Sequence, residues 1–174
     1  MEQGTHNPYQ APAADKEAEQ VVAGPLSLVL ATRGARLGAS LIDALLAMSV
    51  LGPLQFAAGV YDNFPNVTKQ SPMHIVLWSA GGLLLFVLLH GYFLKKNGQT
   101  IGKRLLRIRI ADVEDGSTPA LDRLLLWRVL PVQLVVLVPY VGMLATFVDA
   151  LLIFRRDQRC GHDHIARTVV VQSR

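Results

Sequence analysis

"RGARLGASLID", residues 33–43, places Arg36 and Asp43 in what otherwise reads as the start of a long apolar helix. Seven residues make nearly two helical turns, so the two side chains share a stripe about 10 Å apart along the axis. A carboxylate inside such a helix needs a partner or water, and the rest of the chain has to supply it.

Working outward, apolar residues continue from Leu37 to Val60, interrupted by Gly52-Pro53, and recur from His74 to Leu94. Both stretches reach the roughly 20 residues that a bilayer crossing needs. A third apolar block, Leu124 to Phe154, is longer and carries Arg128, Pro131, Pro139 and Asp149. With 51% hydrophobic residues in 174, a soluble protein could bury one such helix but hardly three. The expected class is an all-α integral membrane protein. The first stretch begins after a polar tail and is too long for a cleavable signal core. One cysteine, Cys160, excludes an internal disulfide and a cysteine-based zinc site.

The net charge of +4 is explained by topology rather than by nucleic acid, because the basic residues flank the apolar stretches. Lys and Arg collect on the cytoplasmic side of membrane proteins. Residues 61–73 contain only Lys69, whereas residues 95–128 hold Lys95, Lys96, Lys103, Arg104, Arg107, Arg109, Arg123 and Arg128. The loop at 61–73 is therefore expected outside and the central loop inside. The arginines after Phe154 then require the last block to return. "LVPYVGML" lets it turn near Tyr140, since Pro139 removes a helix donor and Gly142 accepts unusual backbone angles. The halves, Asp122 to Val138 and Val141 to Phe154, would be about 25 and 21 Å long. The expected fold is a small bundle of about four membrane segments, the last two a Pro/Gly-broken hairpin; a re-entrant hairpin and a single kinked crossing are the alternatives. With the hairpin, every Lys and Arg but Lys69 becomes cytoplasmic, together with both termini.

Residues 1–24 are polar and rich in Ala, Pro and Gln, and read as a disordered cytoplasmic tail preceding a membrane domain at 25–174. "RIRI", 107–110, alternates at period two before the turn dipeptide Asp115-Gly116 and predicts a short strand on the membrane surface. "TVVVQ", 168–172, is β-branched and could pair with it.

These features resemble the RDD family of small bacterial membrane proteins, named for an Arg and two Asp. Arg36 and Asp43 match its first signature. "GQTIGKRLLRIRI", Gly98 to Ile110, followed by "DG" and Arg128, matches the second, and "GHDHIARTVVV" the third, with Asp163 as the second Asp. Asp149, inside an apolar segment, is the rival for that role. The resemblance implies a multi-pass protein of the bacterial inner membrane with a transport-type role; some members are linked to sodium–proton exchange.

The candidate transport or ion-binding residues are Arg36, Asp43, His90, Arg128, Asp149 and Asp163. Asp43 is the natural carrier of a monovalent cation or proton, with Arg128 beside it. The competing reading makes Asp43–Arg128, or Asp149–Arg128, a structural pair and leaves Arg36 to snorkel toward headgroups. Lys103, Arg104, Arg107 and Arg109 form a basic belt suited to anionic lipid, which supports a non-transporting scaffold as the rival function. "CGHDH", 160–164, has a spacing too tight for a standard zinc site, so no metal is expected there. "GQTIGKR" lacks the glycine spacing and the Ser/Thr of a phosphate loop. No nucleophile–base set stands out, so neither an enzyme nor a cofactor is expected. The partners expected are the lipid bilayer, monovalent cations or protons, and further copies of the chain, because four short segments enclose little; nucleic acid is not among them.

Overall fold

A computed structural model of the chain describes residues 21–22, 28–62, 71–138, 140–155 and 157–173. The expected tail lies outside these residues apart from Val21–Val22, as do most of the loop at 61–73, Lys69 and Pro139. The chain is mostly helical. Strand β1 (Val21–Val22) pairs antiparallel with β2 (Leu28–Val29), so a β-branched pair inside the expected tail takes extended structure. Two long helices follow, α1 (Arg33–Ala57) and α2 (Pro72–Asn97).

Thr32 starts α1, its hydroxyl accepting the Ala35 N–H at 3.2 Å. Contrary to the interruption read at Gly52-Pro53, α1 runs unbroken through Pro53. Proline removes one hydrogen bond, a loss that apolar helices tolerate when nearby groups compensate. Ser71 and Pro72 open α2, and Gly98 closes it in the left-handed region at φ 64°. A side chain at Gly98 would also meet the Ile110 carbonyl, so both backbone angle and space demand glycine.

Both long helices are apolar enough to cross a bilayer, and almost none of their apolar length is buried within the chain. Leu41, Leu45, Met48, Leu54, Leu77, Leu84 and Leu88 all stand exposed. The core helix of a soluble protein would hide these side chains; here lipid has to cover them.

The last apolar block does break in two. Helix α4 (Leu121–Arg123) continues through a π-helical turn, Leu124–Val129, into α5 (Leu130–Val136). Tyr140, at φ 62°, then turns the chain into α6 (Val141–Leu151), extended by a 3₁₀ turn to Phe154. The legs pack so closely that a side chain at Gly142 would run into the Val136 backbone. At the helical rise they measure about 24 and 21 Å, shorter than the two long helices.

The polar elements gather at one end, where α1 begins and α2 ends. Helix α3 (Ile101–Leu105) packs on α1, and strand β3 (Ile108–Asp112) leads away from it. Helix α7 (Gly161–Ile165) lies beside the π turn and leads into β4 (Thr168–Gln172). The strand expected from "RIRI" pairs antiparallel with "TVVVQ", Ile108 opposite Gln172 and Asp112 opposite Thr168. Period two left one face open to choice, but the sheet is covered on both. Ile108, Ile110 and Val170 pack toward Ala39, Leu94 and Leu124. Ala111, Val169 and Val171 face Leu28 and Leu30. The sheet therefore plugs the end of the helices rather than floating on a lipid surface.

Candidate functional site

Two carboxylates organise this end. Asp163, on α7, is wholly buried. Arg36 Nη2 donates to its Oδ2 at 2.6 Å, and Arg128 Nη1 pairs with its Oδ1. The Cys160 N–H donates to Oδ2 at 3.2 Å and the Thr168 hydroxyl to Oδ1 at 3.3 Å. Arg128 also donates to that hydroxyl at 2.6 Å, and Arg36 to the Gln158 carbonyl. Burial alone would raise the Asp163 carboxyl, yet Arg128, His162 and Arg36 outweigh it and hold it well below the usual carboxylate range. One anion thus ties α1, the π turn, α7 and β4 together. The extra residue in the π turn sits where Arg128 must be aimed inward.

Asp43 sits nearly two turns further into α1 with a different set. Its Oδ2 accepts the Thr100 hydroxyl at 2.5 Å, and its Oδ1 accepts the Gly102 N–H at 2.7 Å. Its Oδ1 also lies 3.1 Å from His90 Nε2. The other ring nitrogen, Nδ1, lies 3.1 Å from the Phe86 carbonyl oxygen, and His90 is fully buried. Unlike Asp163, the Asp43 side chain keeps 15% of its surface open. Helix α3 can lie this close only because residue 102 is glycine, as a side chain there would strike the Ala39 carbonyl.

The sequence candidates therefore fall into three groups rather than one pocket. Arg36, Arg128 and Asp163 meet; Asp43 and His90 meet; Asp149 lies apart, its Oδ2 2.6 Å from His162 Nδ1 and its Oδ1 accepting the His162 N–H. Arg128 pairs with neither Asp43 nor Asp149, and Arg36 is buried rather than reaching for headgroups. Asp163, not Asp149, shares the Arg36 guanidinium.

Of the belt, Arg104 and Arg107 are exposed, Arg104 with its guanidinium 4.7 Å from the Phe93 ring centre. Arg109 is half-buried and donates to the Gly116 carbonyl. Lys103 is half-buried, and burial together with Arg128 pushes its ammonium down to about 8. Thr100 and Gly102 were not singled out by sequence reasoning. A usable signal was present in "TIG", a helix-capping threonine two residues before a glycine, at a loop whose phosphate-binding reading fails.

No functionally curated protein and no solved structure matches the chain. The model of the RDD family matches residues 30–167, a range that takes in Arg36, Asp43, Arg128 and Asp163 and leaves out the residues before 30 and strand β4 onward. With its two bare apolar helices and this shared end, the chain belongs to the RDD family of membrane proteins.

Proposed function

We propose that this protein exchanges a monovalent cation for a proton at Asp43 and His90. The observation that carries the reading is the hydrogen-bond logic of His90. The Phe86 carbonyl can only accept, which fixes a proton on His90 Nδ1. The 3.1 Å contact between Nε2 and Asp43 Oδ1 then holds one further proton, on the ring or on the carboxyl. A sodium or potassium ion bound to the Asp43 carboxylate takes that proton's place, so one cation enters as one proton leaves. Thr100 and Gly102 steady the carboxylate through both states. Asp163 is unsuited to this work, since its two arginines keep it ionised.

In this reading the polar end is cytoplasmic and the protein resides in the bacterial inner membrane, because Lys and Arg concentrate there. The α5–α6 legs complete four crossings, with the shorter legs served by local thinning and flanking arginines. Four segments enclose little space, so a homo-oligomer supplies the rest of the path. The scaffold reading keeps one supporting feature, the exposure of Arg104 and Arg107, where anionic headgroups could reach them.

Purified protein in liposomes loaded with a pH-sensitive dye tests the exchange. A sodium or potassium pulse should alkalinise or acidify the lumen according to the gradient imposed, and Asp43→Asn should abolish the response. A wild-type response no larger than that of empty liposomes would leave the scaffold reading standing.

A further inference from the structure

The Asp149 carboxylate, the Cys160 thiol and His162 Nδ1 are not among the partners given above for Asp43 or Asp163. Asp149 comes from α6, while Cys160 and His162 flank the first residue of α7. One potential ligand atom from each lies within 4.8 Å of the others. The tight "CGHDH" spacing spoke against a metal only while every ligand had to come from within it. The fold adds a third donor from eleven positions upstream of Cys160.

From this geometry we infer that Asp149, Cys160 and His162 form a binding site for a zinc-class divalent cation. The donors are a carboxylate oxygen, a thiolate sulfur and an imidazole nitrogen, the set that suits Zn²⁺. Bonds of about 2.0–2.3 Å put tetrahedral ligand atoms about 3.5 Å apart. Asp149 and His162 Nδ1, at 2.6 Å, separate slightly to admit the ion, and Cys160 Sγ closes in. Binding releases two protons, one from the Cys160 thiol and one from between His162 Nδ1 and Asp149. The thiolate and carboxylate balance the ion's two charges.

The surroundings fit. His162 Nε2, the nitrogen turned away from the site, lies 3.8 Å from Asp163 Oδ1, where a carboxylate can orient a ligating imidazole. Arg36 and Arg128, the nearby cations, are held on Asp163. Glycine at 161 leaves room for the approach, since a side chain there would come 2.8 Å from Asp149 Oδ1. A pocket of about 170 Å³ opens beside the site, lined by Asp149 and His162 with Pro131, Val135 and Ala145. Three protein ligands leave a fourth position for water or another donor.

The full chain, purified in detergent and stripped with chelator, would be titrated with Zn²⁺ and, separately, with Co²⁺. One equivalent should bind per chain, with cobalt giving a thiolate charge-transfer band. Cys160→Ser should abolish that band and weaken zinc about tenfold or more, in line with the 10–100-fold effects that even outer-shell changes bring. Serine can still accept the N–H at the start of α7, so this variant keeps its fold, which its unfolding temperature in chelator would verify. Asp149→Asn should weaken zinc comparably. Absence of zinc binding by folded wild-type protein, or cobalt binding without a thiolate band that persists in Cys160→Ser, would overturn the site.

Discussion

Asp163 and Asp43 are both carboxylates at the polar end of the same helices, yet their surroundings differ in kind. Asp163 has no exposed surface and faces two guanidinium groups, so it carries a fixed charge. Asp43 faces an imidazole, a hydroxyl and a backbone N–H, and keeps part of its surface exposed. Two arginines hold the first ionised, while the second has a histidine and neutral donors as its partners. The first is therefore architecture and the second is where exchange is proposed. An Arg–Asp–Asp signature read along the chain hides this division of labour.

The sharpest break in the comparison is Asp163→Asn. It strands Arg36 and Arg128 together, and losing one member of a buried ion pair costs about 3–5 kcal/mol. Thermal unfolding in detergent should show a large loss, partly recovered by Arg36→Met in the same chain. An unchanged melting temperature would make Asp163 dispensable and collapse the contrast.

Gly102→Ala ranks next. The added methyl runs into the Ala39 carbonyl, and overpacking of this kind costs about 1–3 kcal/mol. It should also pull the Gly102 N–H off Asp43, so cation-driven proton movement should drop along with stability.

Asp43→Asn should move stability by only about 1 kcal/mol, because the amide keeps an oxygen for Gly102 and Thr100 can rotate its hydroxyl. Exchange should nonetheless vanish. A fall as large as that of Asp163→Asn would place Asp43 with the architecture instead.

The smallest effect concerns Lys103. Its folded value of about 8 lies below the ordinary 10.5, so the unfolded chain binds more protons between those limits. Stability should therefore rise as pH climbs from about 8 to 10.5, and Lys103→Met should remove that rise. Asp163 contributes with the same sign in a lower window: its depressed value makes its contribution complete above the ordinary carboxylate range and lost only as pH falls below about 4. Melting temperatures across pH would separate the two.

Much of this organisation is legible along the chain. The lengths of the two apolar stretches set two helices that lipid must cover, since a contiguous run of about 20 apolar residues has no other economical home. Pro139 and Gly142 announce a turn, and β-branched "TVVVQ" finds the alternating "RIRI" because both are short, flanked by turn residues and complementary in register. Arg36 and Asp43 stand out because charge inside an apolar helix is costly wherever it occurs.

Partnership is what sequence could not assign. Arg128 was equally available to Asp43, Asp149 or Asp163 until the π turn and α7 fixed its direction, because a long flexible side chain carries no address of its own. Thr100 and Gly102 gained their roles only when α3 folded back against Ala39, a contact between positions about sixty residues apart. Composition and periodicity determined which residues had to find partners; tertiary packing alone decided which partners they found, since hydrogen bonds and ion pairs depend on distances that the chain order does not contain.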